Sequence, residues 1–127
     1  AMAREHNIPI IPGALTPTEI VMAWQAGATC VKVFPVQSVG GSEYIRSLQG
    51  PLGQIPLIPT GGVTLENAVG FIEGGAISVG LSSSLFPKLS VQNQDWIEIT
   101  RRCTLLKNQL QPIAPRLTNC DENEPYL

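Results

Sequence analysis

A lysine inside an apolar run is the first residue here that asks for chemistry. In "CVKVFPVQSVGG", residues 30–41, Lys32 stands between valines that read as the core of a strand. An amine buried without a partner costs several kcal/mol or gives up its proton. A neutral amine in an apolar pocket can attack a carbonyl carbon and form a Schiff base. The competing account is an edge strand whose lysine simply reaches water, and the rarity of fully buried lysine gives that account weight. Two further stretches bear on the choice. "PTGGVT", residues 59–64, places Gly61 and Gly62 directly before a helical pattern. Adjacent glycines there let backbone N–H groups approach a phosphate at the positive end of a helix dipole. "VGLSSS", residues 79–84, adds hydroxyls and N–H groups that could complete an anion site. A glycine pair alone most often just turns the chain. A lysine strand, a GG turn and a Gly/Ser turn, one strand–helix interval apart, are more specific.

The elements that must position these residues form a repeat. Four apolar runs, "IPIIP", "CVKVFP", "IPLIP" and "AISVGL", read as strands, each followed by a turn and a helical pattern. Thr16, Pro17 and Glu19 have the N-cap, first-turn and capping-box positions of the first helix. The second is expected from Ser42 until Gly50 and Pro51 stop it, and the third from Thr64 to Gly74. The fourth begins near Asn93 or Asp95, with Trp96, Ile99, Cys103, Leu106 and Leu110 on one face. Strands alternating with helices imply an α/β fold with parallel strands. Lys32 and Phe34 point to one side of their strand, Val31 and Val33 to the other. In a closed parallel barrel, an inward lysine near the strand's C-terminal end would reach the open mouth, where such barrels carry their chemistry. From Gln111 periodicity stops, so residues 1–110 read as the folded unit and 111–127 as a polar, mobile tail.

Composition narrows the classes. The chain has 127 residues, 43% of them apolar, which suffices for one core. A net charge of −2 leaves no basic footprint for nucleic acid and no polybasic membrane patch. No apolar run is long enough for a membrane span, and "AMAREHN" lacks a signal peptide's apolar stretch. Three widely spaced cysteines make neither a disulfide framework nor a zinc pattern, which points to a reducing, cytoplasmic setting. His6 reads as exposed, Cys30 as an inert buried residue, and Trp24 and Trp96 as core. Arg46 reads as helix surface, and Arg101 and Arg102 as facing out from the last helix.

"IPGALTPTEI", "VKVFPVQSVGG", "GPLGQIPLIPTGGV" and "VGLSSSLFP", in this order and spacing, resemble the 2-keto-3-deoxy-6-phosphogluconate (KDPG) and 4-hydroxy-2-oxoglutarate aldolases. The resemblance covers roughly residues 1–110. It implies a (β/α)8 barrel, usually a homotrimer, that reversibly cleaves KDPG to pyruvate and glyceraldehyde 3-phosphate. It implies a class I mechanism with no cofactor and no metal, acting on a small phosphorylated keto acid. By resemblance Lys32 is the Schiff-base lysine and Phe34 the aromatic residue beside the pyruvyl group. Thr60, Gly61 and Gly62 form the turn that holds substrate and phosphate. Ser82 best matches the serine of the second phosphate loop, with Ser83 open because "LSSS" departs from the commoner Gly-Ser pair.

The chain resembles only strands five to eight of that barrel. The family's acid/base glutamate and its carboxylate-binding arginine and threonine lie on earlier strands and have no counterpart here. Glu19 is accounted for by the capping box and Glu43 by helix N-terminal charge preference. General base catalysis is worth about 10²- to 10⁴-fold. Half a barrel also has two sheet edges and an exposed inner face. The chain is therefore expected to self-associate or to need its other half. Two alternatives remain: a phosphosugar-binding relative without turnover, and a different phosphate-binding barrel enzyme, against which K-x-F-P speaks.

Overall fold

The computed structural model of the protein describes residues 2–113. The elements are α1 (Met2–Glu5), β1 (Gly13–Ala14), α2 (Pro17–Gln25), β2 (Val31–Val33), α3 (Ser42–Leu52), β3 (Leu57–Pro59), α4 (Ala68–Glu73), α5 (Lys88–Gln92) and α6 (Trp96–Leu110). A 3-10 turn, Val36–Val39, follows β2. The three strands form one parallel sheet in the order β1-β2-β3. Lys32 lies opposite Gly13 on one side and Ile58 on the other.

The sheet has two unlike faces. Val31, Val33, Leu57 and Pro59 are fully buried and pack with Ile20, Ile45 and Phe71 into the core. Lys32, Ile58 and Thr60 are only half-buried, and Phe34 is exposed. This is an α/β fold with a parallel sheet, covered on one face and open on the other.

Local chemistry explains where the elements begin. The Thr16 hydroxyl accepts from Glu19 N–H at 3.3 Å, and Glu19 Oε2 accepts from Thr16 N–H at 2.8 Å. This is the expected capping box. Asp95 caps α6 by accepting from Glu98 N–H at 3.0 Å.

Several expectations are corrected. The run "IPIIP" is not a regular strand; pairing counts as strand only at Gly13–Ala14. Pro9 and Pro12 have no N–H to donate, although the Ile10 and Pro12 carbonyls still accept from Thr29 and Lys32. The run "AISVGL" forms no regular strand: besides an isolated bridge, Gly80 to Thr60, Ile77 N–H donates to the Leu57 carbonyl at 3.1 Å and Gly80 N–H to the Pro59 carbonyl at 2.9 Å. Helix α3 continues through Gly50 and Pro51 to Leu52, whose burial holds the last turn. Regular helix α4 starts at Ala68 rather than Thr64. The Asn67 side chain accepts from Thr64 N–H at 2.7 Å and donates to the Gly62 carbonyl at 3.0 Å. Such side-chain bonds compete with helix formation. Helix α5 has no side-chain cap and buries no residue, so the sequence carries no signal for it.

On α6, Ile99 is buried and Leu106 and Leu110 pack partly on the core. Trp96 is 59% exposed and Cys103 is exposed, so that face is narrower than its spacing implied. Trp24 packs against the core as expected. Cys30 is half-buried just ahead of β2 rather than fully enclosed. His6 is exposed. The expected tail begins with a turn at 111–113, and its remainder lies outside the described residues.

Candidate active site

Parallel strands deliver their C-terminal ends to one rim, and the candidate residues gather there. β2 leads into Phe34, β3 into Thr60 and the two glycines, and the Gly80 bridge into the serine loop. A cleft of about 360 Å³ is lined by Phe34, Thr60, Gly61, Gly62, Ser82 and Ser83, among others. Lys32 is not in that lining. It sits beside the cleft on the open face of β2, its Nζ 5.1 Å from the Phe34 ring centroid. That distance is within cation–π reach, so one aromatic ring borders both the amine and the cleft.

The glycine turn is shaped by contact on both sides. Gly61 has φ +87°, and a Cβ there would stand 2.9 Å from the Phe34 ring and 3.1 Å from Pro35 Cα. Gly62 has φ +82°, and a Cβ there would overlap the Gln37 side chain. Both positions need glycine for conformation and for space. The carbonyls of Thr60 and Gly61 are tied to Val36 and Gln37 N–H at 2.9 and 3.1 Å. Among the described residues, no hydrogen bond engages the N–H groups of Gly61, Gly62 or Val63, or of Ser82, Ser83 or Ser84. Backbone donors of this kind, with hydroxyls beside them, suit an anion.

Both Ser82 and Ser83 line the cleft and are exposed, so the choice between them stays open. The loop is a tight turn: Leu85 and Phe86 N–H both donate to the Ser82 carbonyl at 3.0 Å. Sequence reasoning left Ser84 without a role of its own inside "VGLSSS" and missed Glu66. Ser84 uses its hydroxyl to accept from Leu65 N–H at 3.3 Å, which stitches the serine loop to the segment before α4. Glu66 also lines the cleft. A hydrogen bond from the Thr64 hydroxyl, then its own backbone N–H, holds its carboxyl below the usual carboxylate range. A Glu just after a GG turn carries no signal that separates it from ordinary helix-start acid. Arg102, read as outward-facing, instead bonds Glu98 and the Ser84 carbonyl.

Neither glutamate weighed from the sequence as a substitute base lines the cleft. Glu19 is held low by the backbone N–H groups of Thr16 and Leu15. Glu43 pairs loosely with Arg46 at 3.8 Å on an exposed face. Among the described residues, no group of three or more His, Cys, Asp or Glu could hold a metal ion. No helix among them is long and apolar enough to cross a membrane.

The 2-dehydro-3-deoxy-phosphogluconate aldolase of Haemophilus influenzae is 34% identical over 100 residues, which are 79% of this chain and 47% of that protein. The 2-dehydro-3-deoxy-6-phosphogalactonate aldolase of Escherichia coli is 38% identical over 82 residues, 64% of this chain and 40% of that protein. A KDPG aldolase structure from Legionella pneumophila, with pyruvate captured as a covalent carbinolamine intermediate, superposes with a TM-score of 0.71 at 27% identity. The match covers 82% of this chain and 50% of that one. The chain spans about half the length of the curated relatives it matches. The sequence model of the family described as "Aldolase: KDPG and KHG aldolase" matches residues 1–102, and the chain accordingly belongs to the KDPG and KHG aldolase family.

Proposed function

We propose that residues 1–110 are the C-terminal half of a class I aldolase barrel, corresponding to strands five to eight. With its other half it would cleave KDPG to pyruvate and glyceraldehyde 3-phosphate. The observation that carries this reading is the placing of Lys32 and Phe34 on one open strand face beside a cleft walled by the GG turn and the serine loop. Lys32 Nζ attacks the C2 carbonyl carbon, and the resulting carbinolamine loses water to give a protonated imine. The imine draws in the electron pair of the C3–C4 bond as a base takes the C4 hydroxyl proton. The aldehyde leaves, C3 of the enamine is protonated, and water releases pyruvate and the free lysine. Phe34 flanks the pyruvyl group. Thr60, Gly61, Gly62 and Ser82 (or Ser83) hold the phosphate through N–H groups and hydroxyls. No metal or cofactor enters the scheme. The early-strand glutamate of the other half supplies the base, and assembly is oligomeric, a trimer in the completed enzyme.

The test is borohydride trapping with pyruvate, read by intact mass and peptide mapping. The expected result is a reduced adduct on Lys32. No adduct after the other half is supplied, under conditions that label a full-length relative, rejects the nucleophile assignment. One observation favours a second reading, a phosphosugar-binding unit without turnover: Lys32 lies beside the cleft rather than in its lining. Phosphate binding without an adduct, even after the other half is supplied, would select it.

A further inference from the structure

The serine loop of the cleft is held from behind by a residue that is not in the lining. Arg102 lies on α6, 18 residues further along the chain than Ser84. Its Nη1 donates to the Ser84 carbonyl at 3.0 Å, and its Nε donates to Glu98 Oε1 at 2.7 Å. Its side chain is 29% exposed and that of Glu98 25%. Arg101, the neighbour on the same helix, is 61% exposed. Arg101 bonds the same carboxylate and, among the described residues, makes no hydrogen bond beyond it. A surface ion pair by itself contributes little. What sets Arg102 apart is its reach to the loop.

We infer that Arg102 is a positioning residue of the anion cleft: braced by Glu98, it holds the Ser84 carbonyl so that the loop presents Ser82 and Ser83 to the bound anion. The inference rests on the phosphate-cleft reading above. Ser84 is the hub of the arrangement. Its carbonyl accepts from Arg102, and its hydroxyl accepts from Leu65 N–H on the far side of the cleft. One residue thus ties the last helix to both walls. The Ser84 carbonyl is turned back toward α6, while Ser82 and Ser83 line the cleft. A planar guanidinium can hold two oxygen acceptors in fixed directions at once, whereas a lysine ammonium has no such fork.

The experiment is calorimetric titration of the full chain with inorganic phosphate. The unaltered chain is expected to bind. Arg102→Leu is expected to weaken binding about tenfold, the effect of losing roughly one well-placed hydrogen bond. Arg101→Leu removes the same charge and is expected to leave affinity about unchanged. Arg102→Lys keeps the charge but not the fork and should also weaken binding, which covers the case in which Arg102→Leu fails to fold by circular dichroism. Glu98→Gln separates positioning from simple attraction. If Arg102 only attracts phosphate, losing the Glu98 charge strengthens binding; if Arg102 positions the loop, binding weakens. Phosphate affinity unaltered in Arg102→Lys, or raised in Glu98→Gln, overturns the inference alone. No binding by the unaltered chain overturns the phosphate-cleft reading and the inference with it.

Discussion

The Lys32 amine sits over the Phe34 ring and, among the described residues, pairs with no carboxylate. An aromatic face attracts an ammonium, so the ring holds the lysine head beside the cleft. Lys32→Arg is expected to abolish the borohydride adduct, because a guanidinium does not form an imine under these conditions. Phe34→Leu should slow adduct formation several-fold while leaving its site unchanged, and peptide mapping over a time course checks both. Gly61 offers a separate test of the turn. Gly61→Ala puts a Cβ against the Phe34 ring in a left-handed conformation, and should cost about 1–3 kcal/mol in urea unfolding. Lys32 and the glycines stand out in the sequence because each breaks a local pattern, a charge in a strand and a doubled glycine at a strand's end, whereas Phe34 is singled out by the resemblance alone. Glu66, Ser84 and Arg102 break none. Ser84 and Arg102 meet only across the fold, which neither spacing nor propensity encodes.

Among the elements, those whose boundaries rest on neighbouring residues were the readable ones. The α2 capping box needs only Thr16, Pro17 and Glu19, and it forms as its spacing dictates. Thr16→Ala should lower stability by about 1 kcal/mol, measurable by thermal or urea unfolding. Elements decided by tertiary packing were not readable. Pro51 stays helical because Leu52 is buried beyond it, and α5 has no side-chain cap to announce it. In α6 the Glu98 carboxyl is held down to about 2 from the ordinary 4.5, first by hydrogen bonds from Arg101 and then by those from Arg102. A carboxyl lowered on folding stabilises the folded state above its unfolded pKa, and that contribution is lost as pH falls through the folded one. Stability should therefore decline between about pH 4.5 and 2, and Glu98→Gln should flatten that decline in a melting series.

For the whole molecule, the parallel α/β design and its repeat could be read from alternating apolar runs and helical patterns. The edges could not. "IPIIP" and "AISVGL" have the composition of strands, yet regular pairing is confined to the middle of the sheet. A strand at an edge has one neighbour, and prolines remove donors from the one it has. The result is a sheet with a dry face and a wet one, flanked by exposed Ile8, Ile10 and Ile11. Such surface tends to find a partner. Sedimentation velocity on the isolated chain should show concentration-dependent association, reduced by Ile11→Lys. A single sharp monomer at all concentrations, with cooperative unfolding, would contradict this expectation.

The two glycines at the heart of the turn also bear on how the cleft could be re-tailored. With Phe34 and Gln37 occupying the space a side chain would need, positions 61 and 62 offer no gradual route to a new preference. Ser82 and Ser83, exposed on the opposite wall, can change size and charge without disturbing the core. Combinatorial libraries that randomise the glycine turn should return mostly misfolded clones. Those that vary the two serines should return folded chains with altered choice of anion.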